Sequence, residues 1–192
     1  MKDHARTIIF RNTKNTRCII KNNYQYIRSD VPVKISENEI KFLISHQILK
    51  MIDLRSEAEQ LAKPCPLKEI PDFEYFSMPV TGGNAIPESP EKVADSYLAM
   101  IDQQMQNIIE MILQADSGVL YFCNAGKDRT GVVSALLLKR LGYDDDYIIQ
   151  DYMKSAENLK EMLRQFAESN PEINLEIITP HESYIKKFLN YL

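Results

Sequence analysis

The chain has 192 residues, of which 44% are apolar and 26% are charged. This length is most simply one domain with enough residues to bury a core, and the composition excludes a disordered or collagen-like chain. The net charge is −4, and no long basic run provides the phosphate-neutralising surface typical of nucleic-acid binding. We therefore expect one domain over residues 1–192 and no nucleic-acid partner.

The N-terminal residues, the longest apolar stretch and the spacing of the cysteines indicate the compartment. Residues 1–4 lack the basic-then-apolar order of a signal peptide, and the longest apolar stretch, residues 132–138, is too short to span a bilayer. Cys18, Cys65 and Cys123 are spaced too irregularly for a disulfide framework or a Cys-x-x-Cys site, and the three histidines are scattered. We expect a cytoplasmic protein without a transmembrane segment, with free thiols and no metal.

In the first half of the chain, helices and short strands are predicted from periodicity and capping residues. Ser36 and Glu39 form a capping box that opens a helix. The remaining predictions there are a strand over residues 48–54, a strand over residues 73–80 that ends in the turn cluster of residues 81–84, and one long amphipathic helix from Ser89 and Pro90 through Ile112.

In the second half, a short apolar strand is followed by helices. The predictions are a strand over residues 119–122, a buried helix over residues 130–141 that Gly142 ends, a helix over residues 146–169, and a last helix capped at Thr179 and Pro180. This alternation predicts an α/β fold with a mostly parallel central sheet flanked by helices and a mainly helical C-terminal part. Ligands of such folds lie beyond the carboxyl ends of the strands, where the loop from Cys123 to Arg129 falls.

The loop that follows the strand ending at Phe122 carries the chemistry. Its backbone N–H groups and the dipole of the next helix converge on one point that favours an anion. The same field favours thiolate over thiol, so Cys123 is a candidate nucleophile. Arg129, six positions later, can hold two oxygens of a phosphate and stabilise the transferring group. Nucleophile and clamp are therefore expected to face one phosphate.

Structural interpretations of these residues are also common. A buried Cys is usually a small apolar residue, and we accept that interpretation for Cys18 and Cys65. For Cys123, the combination of Cys, five residues, Arg, a hydroxyl residue and Gly is more specific than any of its parts. A nucleotide-binding Walker loop fits less well, because Lys127 is followed by Asp128 rather than by Ser or Thr.

The motif Cys-x5-Arg-Thr-Gly resembles the signature of the cysteine-dependent protein-tyrosine phosphatase superfamily. The form Cys-x-x-Gly-Lys-Asp-Arg-Thr-Gly is similar to that of the bacterial and fungal tyrosine/lipid phosphatases of the tyrosine-phosphatase-3 type, as are the segments Tyr-Ile-Arg-Ser at 26–29 and Met-Ile-Asp-Leu-Arg-Ser-Glu at 51–57. The similarity covers residues 7–142 well and the C-terminal helices in outline. It implies a protein-tyrosine-phosphatase-like fold and a phosphomonoesterase that forms a cysteinyl-phosphate intermediate without metal or organic cofactor.

The resemblance also implies roles for the loop residues. The amides of the loop and the Arg129 guanidinium bind phosphate in such enzymes, and the Thr130 hydroxyl helps the thiolate to leave. The residues expected to contact phosphate are Asn124, Ala125, Gly126, Lys127 and Arg129.

One departure from the family pattern precedes the nucleophile, where Phe122 stands in place of the usual His. An apolar side chain donates no hydrogen bond and excludes water. We expect Cys123 to be a less stabilised thiolate here than in relatives with that His.

The general acid is a second departure, because the loop at residues 81–84 holds no carboxylate. Asp128 is the preferred proton donor, as the resemblance to this subgroup also suggests, although a carboxylate at a helix start is commonly structural. Asp53 is the runner-up, but Arg55 two residues later favours an ion pair. Glu88 and Asp95 are the remaining alternatives.

The substrate is open at this stage. Lys127 suits a second phosphate, as in a phosphoinositide, or else it points to solvent or pairs with a carboxylate. The expected substrate is a phosphotyrosine protein, with dual specificity or phosphoinositide activity as further options. Two rival functions remain: a catalytically weak pseudo-phosphatase that binds phosphorylated ligands, and a thiol-based sulfurtransferase or redox protein that uses Cys123.

Overall fold

The computed structural model describes residues 10–83 and 85–192. The predictions made for residues 1–4 and for Asn84 lie outside the described residues. The strands are β1 (Arg17–Cys18), β2 (Tyr26–Asp30), β3 (Ile48–Asp53), β4 (Glu74–Ser77) and β5 (Gly118–Cys123). The helices are α1 (Glu37–Ser45), α2 (Glu57–Ala62), α3 (Val93–Leu98), α4 (Gln103–Leu113), α5 (Asp128–Arg140), α6 (Asp145–Ser169), α7 (Leu175–Ile178) and α8 (Glu182–Leu189).

The strands form one sheet in the order β1-β2-β5-β3-β4. β5 pairs in parallel with β2 and β3, and β3 pairs in parallel with β4, whereas β1 is an antiparallel edge strand. This arrangement confirms the predicted α/β class with a mostly parallel sheet. The carboxyl ends of β2, β3 and β5 consequently meet at one edge of the sheet.

Every residue of the central strand β5 is buried, and its side chains alternate between two hydrophobic clusters. Tyr121 and Cys123 belong to the cluster that includes residues of α3, α4, α5, α6 and α8, whereas Leu120 and Phe122 belong to the cluster that includes Leu43 of α1. This period of two is the ordinary geometry of a strand covered on both faces. It places Cys123 and Phe122 on opposite faces of the sheet.

The capping signals of the sequence are partly confirmed. Ser36 and Glu39 form the predicted capping box of α1. At the end of α5, Gly142 has φ +82°, its N–H donates to Lys139 O, and the N–H of Tyr143 donates to Leu138 O, which is a Schellman motif. A side chain at Gly142 would strain this turn, so the predicted stop is confirmed.

The single long helix predicted from Ser89 to Ile112 is wrong. The chain forms a 3-10 turn at Pro90–Lys92, then α3, and then a separate helix α4. The new start is explained by Asp102, whose side chain accepts a hydrogen bond from the N–H of Met105 as an N-cap. The sequence does not reveal the break between α3 and α4, because apolar residues recur at helical spacing across it.

Other boundaries differ from the predictions. α5 begins at Asp128, two residues before the predicted start, and β4 covers only the middle of the predicted strand. The last helix is α8, whose N-terminal flanking residue is His181 rather than the predicted Thr179–Pro180 pair. A short helix, α7, occupies residues just before that pair. β1, β2 and α2 were not predicted.

Neither a membrane-spanning helix nor a metal-binding cluster occurs in the part of the chain that the structure describes. No helix within 10–83 or 85–192 is long and apolar enough to cross a membrane. In the same ranges, no group of three or more His, Cys, Asp or Glu side chains is arranged to hold a metal ion.

Candidate active site

A cavity of about 390 Å³ opens above the loop that joins β5 to α5. Cys123 ends the buried strand, and Asp128 begins the helix. Both residues line the cavity, together with Asn124, Ala125, Lys127 and Arg129 of the same loop. The structure thus brings the predicted nucleophile and the predicted guanidinium clamp to one place, at the carboxyl edge of the sheet.

Gly126 lets this loop lie directly against β2. Its φ is +63°, and a Cβ atom there would lie 2.5 Å from the carbonyl carbon and oxygen of Ser29 and from the N atom of Asp30. Backbone atoms cannot yield to such a contact, and the left-handed conformation itself disfavours a side chain. Glycine is therefore required for the curvature of the loop.

Behind the loop, buried polar side chains bind its carbonyl groups. Arg28 Nη2 donates to Gly126 O at 2.8 Å and to Lys127 O at 3.4 Å, and Asn15 Nδ2 donates to Gly126 O at 2.7 Å. Carbonyls held on the outer side of a tight turn leave the backbone N–H groups free to face its concave side, which is how such loops bind anions. The loop is therefore preorganised for an anion.

Asp151 fixes the position of Arg28. Its carboxylate accepts from Arg28 Nη1 at 2.7 Å and from Arg17 Nε at 2.8 Å, and all three side chains are buried. Burial alone would raise the pKa of Asp151, but the charges of Arg17 and Arg28 lower it to about 2. The carboxylate therefore stays ionised and holds both guanidinium groups over the normal pH range.

Arg129 is clamped by Glu59, which belongs to α2. Arg129 Nη1 lies 2.7 Å from Glu59 Oε2, and Arg129 Nη2 lies 2.7 Å from Glu59 Oε1. Glu59 also closes the capping box of Ser56 and accepts from Asn124 Nδ2 at 2.6 Å. Hydrogen bonds from Arg129 are the main cause that lowers the pKa of Glu59 to about 2.

The guanidinium of Arg129 keeps donors for a ligand. Burial would lower its pKa, but the hydrogen bonds to Glu59 and then the electrostatic interaction with Cys123 raise it above its ordinary value. Of its five N–H donors, the bidentate pair uses one on each Nη atom, and Nε donates to no described residue. The Nε–H and an Nη2–H form the free edge that matches two phosphate oxygens.

Asp128 is the one carboxylate among the described residues that line the cavity. Its Oδ1 accepts from the Tyr97 hydroxyl at 2.7 Å, and its Oδ2 lies 3.0 Å from Lys127 Nζ. Tyr97 in turn shares a hydrogen bond of 2.7 Å with the hydroxyl of Tyr152. Lys127 is buried and also donates to Ile178 O at 2.7 Å. The ammonium group thus pairs with a carboxylate, the alternative left open above.

The other carboxylates considered as proton donors lie elsewhere. Asp53 is fully buried and paired with Arg55 at 2.6 Å, and the Tyr75 hydroxyl donates to it at 2.5 Å. The predicted ion pair of Asp53 and Arg55 is confirmed. Asp95 pairs with Lys187 at 2.9 Å, and neither Asp95 nor Glu88 lines the cavity. Of the four candidates, only Asp128 reaches the loop.

Thr130 and Phe122, two other positions that the sequence analysis singled out, are both buried next to the loop residues. The Thr130 hydroxyl is buried, and no described residue forms a hydrogen bond with it. The Phe122 ring packs at 5.8 Å from the guanidinium of Arg55 and at 6.4 Å from the Tyr75 ring, on the face of the sheet away from Cys123. An unpartnered buried hydroxyl beside the loop is expected to have a partner in the working site.

The chain is similar to proteins of a known family. The profile of the tyrosine phosphatase family matches residues 10–192. The chain belongs to this family. A tyrosine-protein phosphatase from Nostoc commune is 29% identical over 119 residues, which cover 57% of this chain and 40% of that protein. The triple specificity protein phosphatase PtpB from Mycobacterium tuberculosis is 34% identical over 82 residues, covering 40% of this chain and 30% of that protein.

The segments that match this chain cover less than half the length of each of these two relatives. Among solved structures, P. aeruginosa TpbA has a TM-score of 0.47 with 12% identity, and the match covers 88% of each chain.

The contacts that support the loop were missed by sequence reasoning. The sequence did contain a signal for Glu59, since Ser56 and Glu59 repeat the capping-box spacing of Ser36 and Glu39. Tyr97 lies within the long amphipathic helix that the sequence predicts, where the pattern indicates only packing, and Arg28 lies within the segment at 26–29, which indicates only the resemblance to the family. Asp151 carried no recognisable signal in its helix.

Proposed function

We propose that this chain is a phosphomonoesterase that hydrolyses phosphotyrosine through a cysteinyl-phosphate intermediate on Cys123, without a metal ion. The observation that carries the proposal is the arrangement of Cys123 and Arg129 in one cavity, with Glu59 fixing the guanidinium. A loop built to bind a dianion beside a cysteine is the arrangement that nucleophilic attack on phosphorus requires.

In the first step, the Cys123 thiolate attacks phosphorus, and a sulfur–phosphorus bond forms as the bond to the leaving oxygen breaks. The loop amides and Arg129 stabilise the charge that spreads over the three equatorial oxygens. Asp128 lies in the cavity and donates a proton to the leaving oxygen.

In the second step, water attacks the phosphorus of the intermediate. Asp128, now a carboxylate, accepts a proton from that water, and the sulfur–phosphorus bond breaks to release inorganic phosphate. The buried Thr130 hydroxyl, which has no partner among the described residues, donates to the departing thiolate. The site is thereby returned to its starting state.

The test is hydrolysis of p-nitrophenyl phosphate in the presence of EDTA. We expect turnover that vanadate inhibits and that Cys123→Ser abolishes. Cys65→Ser, which alters another buried thiol outside the cavity, is the matched control and keeps the activity. Turnover that requires an added divalent metal, or that survives in Cys123→Ser, contradicts the proposal. Phosphate binding without turnover in the folded wild type would instead support the pseudo-phosphatase.

A further inference from the structure

The cavity above the loop is larger than one aromatic ring needs. Its volume is about 390 Å³, whereas a cavity of about 150 Å³ is enough to bind benzene. A phenyl phosphate seated on the loop therefore fills only part of it. The remaining space is available to a second group of the substrate.

Part of the cavity is lined by apolar side chains from outside the loop. Met162 and Phe166 are four residues apart on α6, so they lie on the same face of that helix. Ile86, from the segment that follows β4, lines the same cavity. Ile86, Met162 and Phe166 are 44%, 37% and 45% exposed, so three large apolar side chains that line one cavity are open to solvent. We call these three residues the apolar rim.

The charges around the cavity argue against a second phosphate. Lys127 and Arg129 are the cations among the described lining residues. The ammonium of Lys127 is held by Asp128 and Ile178 O, and Glu59 occupies one edge of Arg129, leaving the other edge for the reacting phosphate.

The surface beside the apolar rim is not basic either. On α6, none of the residues three or four positions from Met162 or Phe166 is basic, and these neighbours on the same face are Asn158, Leu159, Leu163, Gln165 and Ser169. Anionic membranes attract clusters of Lys and Arg, so this surface favours a peptide over a lipid headgroup in a bilayer.

We infer that the apolar rim is a subsite for a large apolar residue flanking the phosphotyrosine of a peptide substrate. The inference rests on the proposed function and specifies its substrate. The phosphorylated ring occupies the space over Cys123, and the neighbouring apolar side chain packs between α6 and Ile86. Removing such a side chain from water is worth enough to change kcat/KM by about tenfold.

The experiment uses two phosphotyrosyl peptides that differ only in the flanking residues, Leu in one and Ser in the other. We expect the wild type to prefer the Leu peptide by about tenfold in kcat/KM. The double variant Met162→Ala, Phe166→Ala loses most of this preference and keeps its kcat for p-nitrophenyl phosphate. Leu141→Ala is the matched control and retains the preference. Leu141 is also an exposed apolar residue, but it follows the C-terminal end of α5, whereas the loop precedes the N-terminal end.

Several outcomes would overturn the inference. Equal kcat/KM for the two peptides in the wild type does so, as does a preference that survives in the double variant. A higher kcat/KM for a phosphatidylinositol monophosphate in vesicles, lost in the double variant, assigns the rim to lipid instead. Failure of the proposed function is distinct, because p-nitrophenyl phosphate and both peptides would then all remain unhydrolysed.

Discussion

Replacing Glu59 with Gln perturbs the position of Arg129, and it also weakens the hydrogen bond that Glu59 accepts from Asn124 of the loop. The amide keeps the size of the side chain, but it loses the charge that binds both Nη atoms at 2.7 Å. The NH2 group of Gln then faces an N–H donor of Arg129, so one of the two hydrogen bonds is lost. The free guanidinium edge is no longer held toward the phosphate position.

The magnitude follows from the pKa of Glu59, which Arg129 and Ser56 lower from 4.5 to about 2. At about 1.4 kcal/mol per pH unit, the whole difference is worth roughly 3 kcal/mol. Ser56 accounts for a share of it, and the side chain is 24% exposed, so solvent screens the pair with Arg129. We assign about 1–2 kcal/mol to that pair.

The sign of the pH dependence follows from the same shift. The pKa of Glu59 is lower in the folded state, so its contribution to stability is complete above about 4.5 and is lost as the pH falls toward 2. The difference in unfolding free energy between wild type and Glu59→Gln is therefore present at neutral pH and shrinks across that window. Urea unfolding at several pH values measures it.

The assay compares kcat/KM for an aryl phosphate and the inhibition constant of vanadate. We expect Glu59→Gln to weaken both by about tenfold, which corresponds to about 1.4 kcal/mol. Glu39→Gln is the matched control, because Glu39 closes the same capping box in α1 but lies outside the cavity. If Glu59→Gln loses stability like Glu39→Gln and keeps its kinetics, Glu59 does not position Arg129.

Three further substitutions test other parts of the site. Arg28→Lys removes the forked contact to Gly126 O and Asp151, so vanadate binding should weaken by about tenfold; unchanged inhibition in folded protein refutes the role of Arg28. Asp128→Asn should slow phenyl phosphate hydrolysis by about 10²-fold and p-nitrophenyl phosphate hydrolysis less, since the better leaving group needs less protonation; equal losses would speak against a proton donor. Phe122→His should let iodoacetamide alkylate Cys123 at lower pH, and an unchanged alkylation profile would show that Phe122 does not limit thiolate formation.

The loop could be predicted because the residues that define it are close together in the sequence. Cys123, Asp128, Arg129 and Thr130 lie within eight positions of the sequence, between a buried strand and a buried helix. The same locality explains why the strand at Ile48–Asp53 and the start of α1 were predicted correctly. In these segments, periodicity and capping decide the structure.

The supporting contacts could not be predicted in the same way. Arg129 meets Glu59 across 70 positions, and Arg28 meets Asp151 across 123. Such pairs depend on how the sheet orders its strands, and a single sequence carries no local pattern for that order. The break before Asp102 was missed for another reason, because the apolar period runs through it.

In the proposed mechanism, the phosphoryl group passes through Cys123. The most direct measurement is to quench the enzyme with acid during turnover of an aryl phosphate and to locate the phosphoryl group by mass spectrometry. We predict that it lies on the peptide containing Cys123 and that it is absent from Cys123→Ala. Undiminished turnover by Cys123→Ala, or a phosphoryl group on a different residue that forms and decays at the rate of turnover, would contradict this account.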